Sequence, residues 1–139
     1  MTKPATAVRY MQKARRALEA ARLLLAASDT EGACNRAYYA MFNAAHAALW
    51  AAGVQEIGVV IKTHSGLVSV FGQERVKTGM VNAEYGRALG HVHKTRLLAD
   101  YTADPPAEAD AKETIALAEA FVAAMQAKFV AKPSRKPRA

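Results

Sequence analysis

A chain of 139 residues has the length of one ordinary domain, and its net charge of +7 comes from 19 lysines and arginines against 12 acidic residues. Hydrophobic residues make up 52% of the chain, but a mean hydropathy of −0.06 is typical of a soluble globular protein. No apolar run approaches the roughly 20 residues that cross a bilayer, and the charged first residues lack the apolar core of a secretion signal. The single cysteine, Cys34, excludes an internal disulfide and fits a reducing compartment, so we expect a cytoplasmic protein.

Over half of the excess positive charge lies at the C-terminus. Residues 132–139, KPSRKPRA, contain two prolines, no acidic residue and no apolar stripe, and we expect them to be disordered and dispensable for folding. Such a tail either adds non-specific affinity for phosphates or only keeps the protein soluble. We therefore expect a single domain in residues 1–131, followed by this basic tail.

The pattern of apolar residues predicts an all-α fold. Apolar side chains recur at three- and four-residue steps, which predicts helices over 5–27, 30–52, 64–73, 81–101 and 107–130. The breaks between them carry capping residues, glycines or prolines, namely Ser28-Asp29-Thr30, Gly53, Gly79 and Asp104-Pro105-Pro106. Residues 54–62, VQEIGVVIK, have no partner strand, so we expect a loop with buried apolar anchors. Four long amphipathic helices bury their stripes together in an antiparallel up-and-down bundle, with the short helix in the middle connection.

Helix 30–52 carries an arginine and an asparagine among small apolar residues. Arg36, Tyr39 and Asn43 are three and four positions apart, so they share one face and are candidate binding residues. An arginine on a helix this apolar either reaches solvent or binds a carboxylate or a phosphate. The same helix has more aromatic residues than one face of a four-helix core needs, so we expect a homodimer; these residues are Tyr38, Tyr39, Phe42 and Trp50.

Two further groups of polar residues lie on the later helices. His93, Arg96 and Asp100 share one face of helix 81–101, where an ion pair between Arg96 and Asp100 is the simplest role. His64 lies in the first turn of its helix, where the helix dipole would hold it neutral; its alternative role is packing while Thr63 caps the helix. His91 and His93 point about 100° or more apart on a helix, so we expect no metal and no cofactor there.

Three strings in this order and spacing resemble a widespread family of small bacterial and archaeal HEPN-domain proteins. They are NRAYYAMFNAAHAAL at 35–49, KTHSGLVSVFG at 62–72 and RLLADY at 96–101. The resemblance covers roughly residues 5–130 and implies a bundle of four or five helices that usually dimerises. It also implies a frequent partnership with a minimal nucleotidyltransferase, in some cases as toxin and antitoxin.

The resemblance further implies a metal-independent ribonuclease chemistry for many members. Their signature is an arginine followed, four to six residues later, by a histidine, and a tyrosine two residues beyond it can be adenylylated by the partner. RLLADY supplies Arg96 and Tyr101, with Asp100 near the place of the histidine. A literal match to an arginine–histidine spacing also runs from Arg87 to His93. In the 2′-hydroxyl attack on the adjacent phosphate, a histidine would serve as general base or acid and an arginine would stabilise the phosphorane.

These observations leave three hypotheses. The first is a HEPN protein with weak or no catalysis that acts with a nucleotidyltransferase and binds RNA or this partner through Arg36 and Arg96. The second is an active ribonuclease toxin that uses Arg96 or Arg87 with His93 or His64. The third is a purely structural dimerisation module. The candidate catalytic residues are therefore Arg96, Asp100, Tyr101 and His64, and the candidate binding residues are Arg36, Tyr39, Asn43, Arg87 and His93.

Overall fold

The computed structural model describes residues 3–53, 63–76, 78–99 and 101–130, and all its regular structure is helical. Five α-helices follow one another in this part of the chain: α1 (Lys3–Ala26), α2 (Thr30–Ala51), α3 (His64–Phe71), α4 (Ala83–Ala99) and α5 (Glu108–Phe129). A single π-helical turn, Gly72–Val76, continues α3. The predicted all-α bundle with one short extra helix is confirmed.

The predicted helix ends are formed by the predicted residues. The Asp29 side chain caps α2 by accepting a hydrogen bond from the Gly32 amide, and Thr63 caps α3 in the same way through the Gly66 amide. Gly53, which follows α2, has a φ of 76°, a left-handed conformation that glycine adopts without strain. Local chemistry therefore determines where these helices begin and end.

Helix α2 is the centre of the bundle. It packs against α1 and α5 most extensively and also contacts α3 and α4. Alanine side chains on several faces of α2 are fully buried, which lets the neighbouring helices approach closely; they are Ala33, Ala37, Ala40, Ala44, Ala45, Ala47 and Ala48. Larger side chains from the other helices fill the rest of the core, among them Met11, Leu67, Phe71, Leu89, Phe121 and Met125. Because α2 is enclosed, its polar side chains lie next to those of several neighbouring helices.

The end of α3 differs from the predicted end at residue 73. The α-helix ends at Phe71 and continues into the π-helical turn, whose carbonyl oxygens are capped. The Arg75 carbonyl accepts hydrogen bonds from the amides of Met80 and Val81, and the Thr78 hydroxyl donates to the carbonyl of Glu74. The guanidinium carbon of Arg75 lies 4.8 Å from the centroid of the Phe129 ring. These contacts give the segment a defined turn, because its free carbonyl groups find donors in the residues that follow.

Three sequence predictions concern residues outside the described part of the chain. They are the loop at 54–62, the tail at 132–139 and the side chain of Asp100. Within the described residues, none of the helices has the length and apolar character needed to cross a membrane.

Candidate functional site

Ring side chains from three helices meet at the N-terminus of α3. The Tyr38 hydroxyl on α2 forms a hydrogen bond with Nδ1 of His64, the first residue of α3. His93 on α4 lies parallel to His64, with ring centroids 6.4 Å apart and planes inclined by 1°. The Tyr38 ring contacts both imidazoles, at 5.4 Å from His64 and 5.9 Å from His93. Together with Arg96, these residues are called the histidine cluster below.

Arg96 follows His93 by three positions and lies on the same face of α4. Its guanidinium carbon is 5.0 Å from the centroid of the Tyr38 ring and 5.5 Å from that of Tyr39. The buried Nε of Arg96 has no hydrogen-bond partner, and no carboxylate among the described residues pairs with this side chain. Aromatic faces attract a cation without neutralising it, so these two rings leave the charge of Arg96 uncompensated.

The surroundings hold both imidazoles of the cluster neutral. Burial lowers the pKa of His64, and the positive charge of Arg96 and the neighbouring His93 lower it further. Burial and Arg96 likewise lower the pKa of His93, whose buried Nδ1 has no hydrogen-bond partner. Burial raises the pKa of Tyr38 to about 12, so its hydroxyl keeps its proton. At neutral pH the cluster therefore contains two neutral imidazoles, a protonated phenol and a guanidinium.

A cleft of about 400 Å³ opens beside the cluster, where α2 and α4 lie close to the first turns of α5. Tyr38 and Arg96 line it, together with four carboxylates that make it the acidic cleft: Glu31, Asp104, Asp110 and Glu113. Cys34 also lines this cleft and is only partly buried, and burial raises the pKa of its thiol. The cleft leads to one side of the cluster, and its carboxylates repel a phosphate chain.

The binding candidates on α2 border the histidine cluster in different ways. The Arg36 guanidinium carbon lies 5.3 Å from the Tyr39 ring, which is also the ring that Arg96 approaches. Tyr39 thus brings two guanidinium groups to one aromatic ring. Asn43 is buried, and its Nδ2 donates a hydrogen bond of 2.9 Å to the carbonyl of Tyr39. The amide of Asn43 therefore stabilises its own helix, whereas Arg36 and Tyr39 lie at the edge of the cluster.

The remaining candidates lie apart from this group. Arg87 is exposed on α4 and His93 is buried, so the literal arginine–histidine spacing does not bring these two side chains together in one chain. His91 is exposed, and the described part of the chain contains no group of three metal-ligating side chains close enough to hold an ion. Tyr101 follows α4 and is 85% exposed. The roles assigned to Asp100 and Tyr101 remain predictions.

A second aromatic group extends from the cluster toward α1 and was not predicted from the sequence. Phe42 stacks on His64 with centroids 4.5 Å apart, His46 meets the edge of Phe42 at 4.9 Å, and Tyr10 stacks on His46 at 4.7 Å. His46 is 9% exposed, and burial, with the charge of Lys13, lowers its pKa to about 4. The available signal was a histidine within a run of alanines, which is a polar group that the helix must bury.

A comparison with protein families finds one match that spans most of the chain. The HEPN domain matches residues 7–128, and this range includes all five helices except the ends of α1 and α5. The matched range also contains every residue of the histidine cluster.

Several proteins of known sequence are similar to this chain along most of its length. A protein of Methanocaldococcus jannaschii named "Putative toxin" is 36% identical over 105 residues, which are 76% of this chain and 75% of that protein. A protein of Thermotoga maritima named UPF0332 protein is 35% identical over 118 residues, or 84% of this chain and 86% of the relative. A second M. jannaschii protein with the same toxin name is 32% identical over 95 residues, covering 68% of this chain and 61% of that protein.

Proposed function

Because this chain belongs to the HEPN domain family, we propose that it is a toxin-like HEPN protein that cleaves RNA at the histidine cluster. The toxin names of two relatives support the first part of the proposal. The second part is supported by the meeting of His64 with His93 and Arg96, which lie about 30 residues farther along the chain on another helix. This geometry favours the active ribonuclease over the hypothesis of a non-catalytic partner.

The groups of the cluster match the requirements of RNA cleavage without a bound cofactor. One neutral imidazole removes the proton of a 2′-hydroxyl while its oxygen attacks the adjacent phosphorus. The bond from phosphorus to the 5′-oxygen then breaks, and the imidazolium formed in the first step returns its proton to that oxygen. The products are a 2′,3′-cyclic phosphate and a 5′-hydroxyl. Arg96 stabilises the negative charge that develops on the phosphorane oxygens.

The ribonuclease proposal depends mainly on the surroundings of Arg96. This residue has no carboxylate partner among the described residues, and two neutral imidazoles lie beside it. A structural arginine inside a bundle is normally paired, because an unpaired buried cation is costly. Among the described residues, the rings of Tyr38 and Tyr39 are the groups that face the cation. An anionic substrate completes this arrangement.

Two variants on the same helix test the proposal. Arg96→Gln should lower the cleavage of single-stranded RNA, measured with EDTA present, by at least about a hundredfold, because one charge-stabilising donor is worth that much. Arg87→Gln should leave cleavage unchanged, since Arg87 is exposed and outside the cluster. His64→Ala and His93→Ala should each act like Arg96→Gln.

Thermal melting by circular dichroism serves as the folding control for these variants. Equal loss of activity in the Arg96 and Arg87 variants would point to a general charge effect and would exclude the cluster as the site. Activity that survives in all the cluster variants would contradict the proposal directly.

A second candidate function is modification by a nucleotidyltransferase partner, favoured by the 85% exposure of Tyr101. In this reaction the Tyr101 hydroxyl attacks the α-phosphate of a nucleoside triphosphate, and pyrophosphate leaves. A minimal nucleotidyltransferase, incubated with ATP and this protein, should add one nucleotidyl group that mass spectrometry detects. Tyr101→Phe should abolish the addition, and Tyr85→Phe, a change in a partly buried tyrosine on α4, should leave it intact.

A further inference from the structure

A line of positive charge runs along the outer face of α1. Arg9, Lys13 and Arg16 are exposed and are four and three positions apart, which places them in one stripe on the helix. None of the three has an ion-pair partner among the described residues. We call them the α1 basic stripe. Unpaired exposed cations along one helix face are typical of a surface that binds an anionic chain.

The two other arginines of α1 behave differently. Arg15 donates a hydrogen bond to Gln126, and Arg22 forms an ion pair of 2.8 Å with Glu119. Both partners belong to α5, so these arginines join two helices on another face of α1. The stripe therefore differs from these two arginines in making no described bond to another helix.

Aromatic contacts connect the stripe to the histidine cluster. The Lys13 ammonium lies 5.5 Å from the Tyr10 ring, which stacks on His46 at 4.7 Å. From His46 the contacts continue through Phe42 to His64, at 4.9 and 4.5 Å. Because α1 and α2 run antiparallel and Tyr10 lies beside His46, residues 13–16 of α1 lie at the height of Phe42. The stripe and His64 are thus at the same level of the bundle.

The opposite side of the cluster carries the opposite charge. The acidic cleft, which Tyr38 and Arg96 also line, carries four carboxylates. A phosphate chain at Arg96 is therefore repelled from the cleft, and it is attracted in the other direction, where Phe42 and His46 lead to α1. At physiological salt the screening length is about 8 Å, so these two surfaces act locally on neighbouring phosphates.

We infer that the α1 basic stripe binds the phosphate backbone of single-stranded RNA flanking the phosphate that lies at the histidine cluster. The inference rests on the proposed function, since it takes RNA as the substrate. The stripe supplies affinity without base selectivity, because guanidinium and ammonium groups at the surface contact phosphates and no base edge. The cluster itself performs the chemistry.

The test uses the full chain and a short single-stranded RNA in which every ribose is 2′-O-methylated, so that binding is measured without cleavage. Arg9→Gln/Arg16→Gln should weaken binding at low salt by at least about tenfold, as measured by fluorescence anisotropy. The slope of log affinity against log salt should decrease by about 1.4, which corresponds to two phosphate contacts on a single strand.

The matched control is Arg15→Gln/Arg22→Gln, which removes the same two charges from the same helix. It should leave both the affinity and the salt slope near the wild-type values. Equal weakening in the two double variants, or a wild-type protein that does not bind the oligonucleotide, would overturn the inference. Wild-type binding to phosphatidylserine vesicles without binding to RNA would also overturn it and would identify a membrane-binding surface.

The outcome is separate from that of the proposed function. A wild-type protein that binds the methylated RNA through the stripe but cleaves no unmodified RNA would remove the ribonuclease proposal and retain this inference. A protein that cleaves RNA with unchanged binding in the Arg9→Gln/Arg16→Gln variant would do the reverse.

Discussion

Tyr38 is where the packing of the bundle and the chemistry of the site coincide. It is 1% exposed, its ring contacts both imidazoles and the Arg96 cation, and its hydroxyl bonds to Nδ1 of His64. A bond at Nδ1 fixes the ring orientation of His64 and leaves Nε2 as the nitrogen that can face a substrate. In the proposed ribonuclease reaction, Tyr38 is therefore a positioning residue for His64.

We predict that Tyr38→Phe lowers the RNA cleavage rate by about tenfold, the equivalent of one lost hydrogen bond. It should also shift the pH profile of cleavage, because His64 loses the partner that orients it. Tyr39→Phe is the control, since the contacts of Tyr39 are made by its ring and its backbone. A Tyr38→Phe enzyme with the wild-type rate and pH profile would show that the hydrogen bond has no catalytic role.

His46 predicts a pH dependence of stability. Its pKa is about 4 in the folded chain and near 6.5 when unfolded, so the unfolded state takes up the proton first as the pH falls. The free energy of unfolding should therefore decrease by about 3 kcal/mol between pH 6.5 and pH 4 on account of this residue. His46→Phe keeps the stacking on Tyr10 and should remove this part of the decrease, as measured by urea unfolding at several pH values. His91→Phe, at an exposed position of α4, should keep the wild-type decrease.

At the scale of the helices, most of the structure could be predicted because local residues determine it. The predicted helix 30–52 is α2 (Thr30–Ala51), and the predicted helix 107–130 is α5 (Glu108–Phe129), since caps, glycines and prolines act on their immediate neighbours. The π-helical turn at Gly72–Val76 was not predicted, because it depends on amides of residues farther along the chain. The helix propensities of single residues contain no information about hydrogen bonds to amides that lie farther along the chain.

The two helix caps differ in a way that can be exploited. Asp29 caps α2 through its side chain, whereas Ala107 occupies the N-cap of α5 in an extended conformation without a side-chain hydrogen bond. We predict that Asp29→Ala lowers the free energy of unfolding by about 1 kcal/mol and that Ala107→Ser raises it by up to about 1 kcal/mol. Urea unfolding measures both changes. The two substitutions should change the free energy of unfolding in opposite directions. Changes in the same direction would mean that the caps do not control these helices.

At the scale of the whole molecule, the candidate site could be predicted only in part. His64, His93 and Arg96 were each identified as polar residues on apolar helices, but their meeting depends on how α3 and α4 pack on α2. The spacing of residues within one helix cannot give that information. Asn43 shows the converse case, because its helical face was predicted and its hydrogen bond to the Tyr39 carbonyl was not.

The homodimer stays a prediction, but the residues expected at its interface change. Tyr38 is fully buried and Tyr39, Phe42 and Trp50 pack against the core, so they are not a free apolar surface. Large exposed apolar side chains gather instead at the end of α4, with exposures of 42% for Leu97, 65% for Leu98 and 85% for Tyr101. Light scattering should give twice the 14.9 kDa of one chain, and Leu97→Ser/Leu98→Ser should shift this mass toward the monomer. A wild-type mass of one chain at micromolar concentration would exclude the dimer.

The enclosure of α2 has a consequence for how this protein tolerates change. A helix at the surface accepts substitutions on its outer face and rejects them on its inner face, giving a tolerance profile that oscillates every three to four residues. In α2, residues 43–49 are all buried, so this oscillation disappears there. A saturation-mutagenesis library selected for folded protein should therefore show an uninterrupted intolerant block along this half of α2. Side chains larger than alanine would be excluded at Ala44, Ala45, Ala47 and Ala48, because a well-packed interior has no space for added methylene groups.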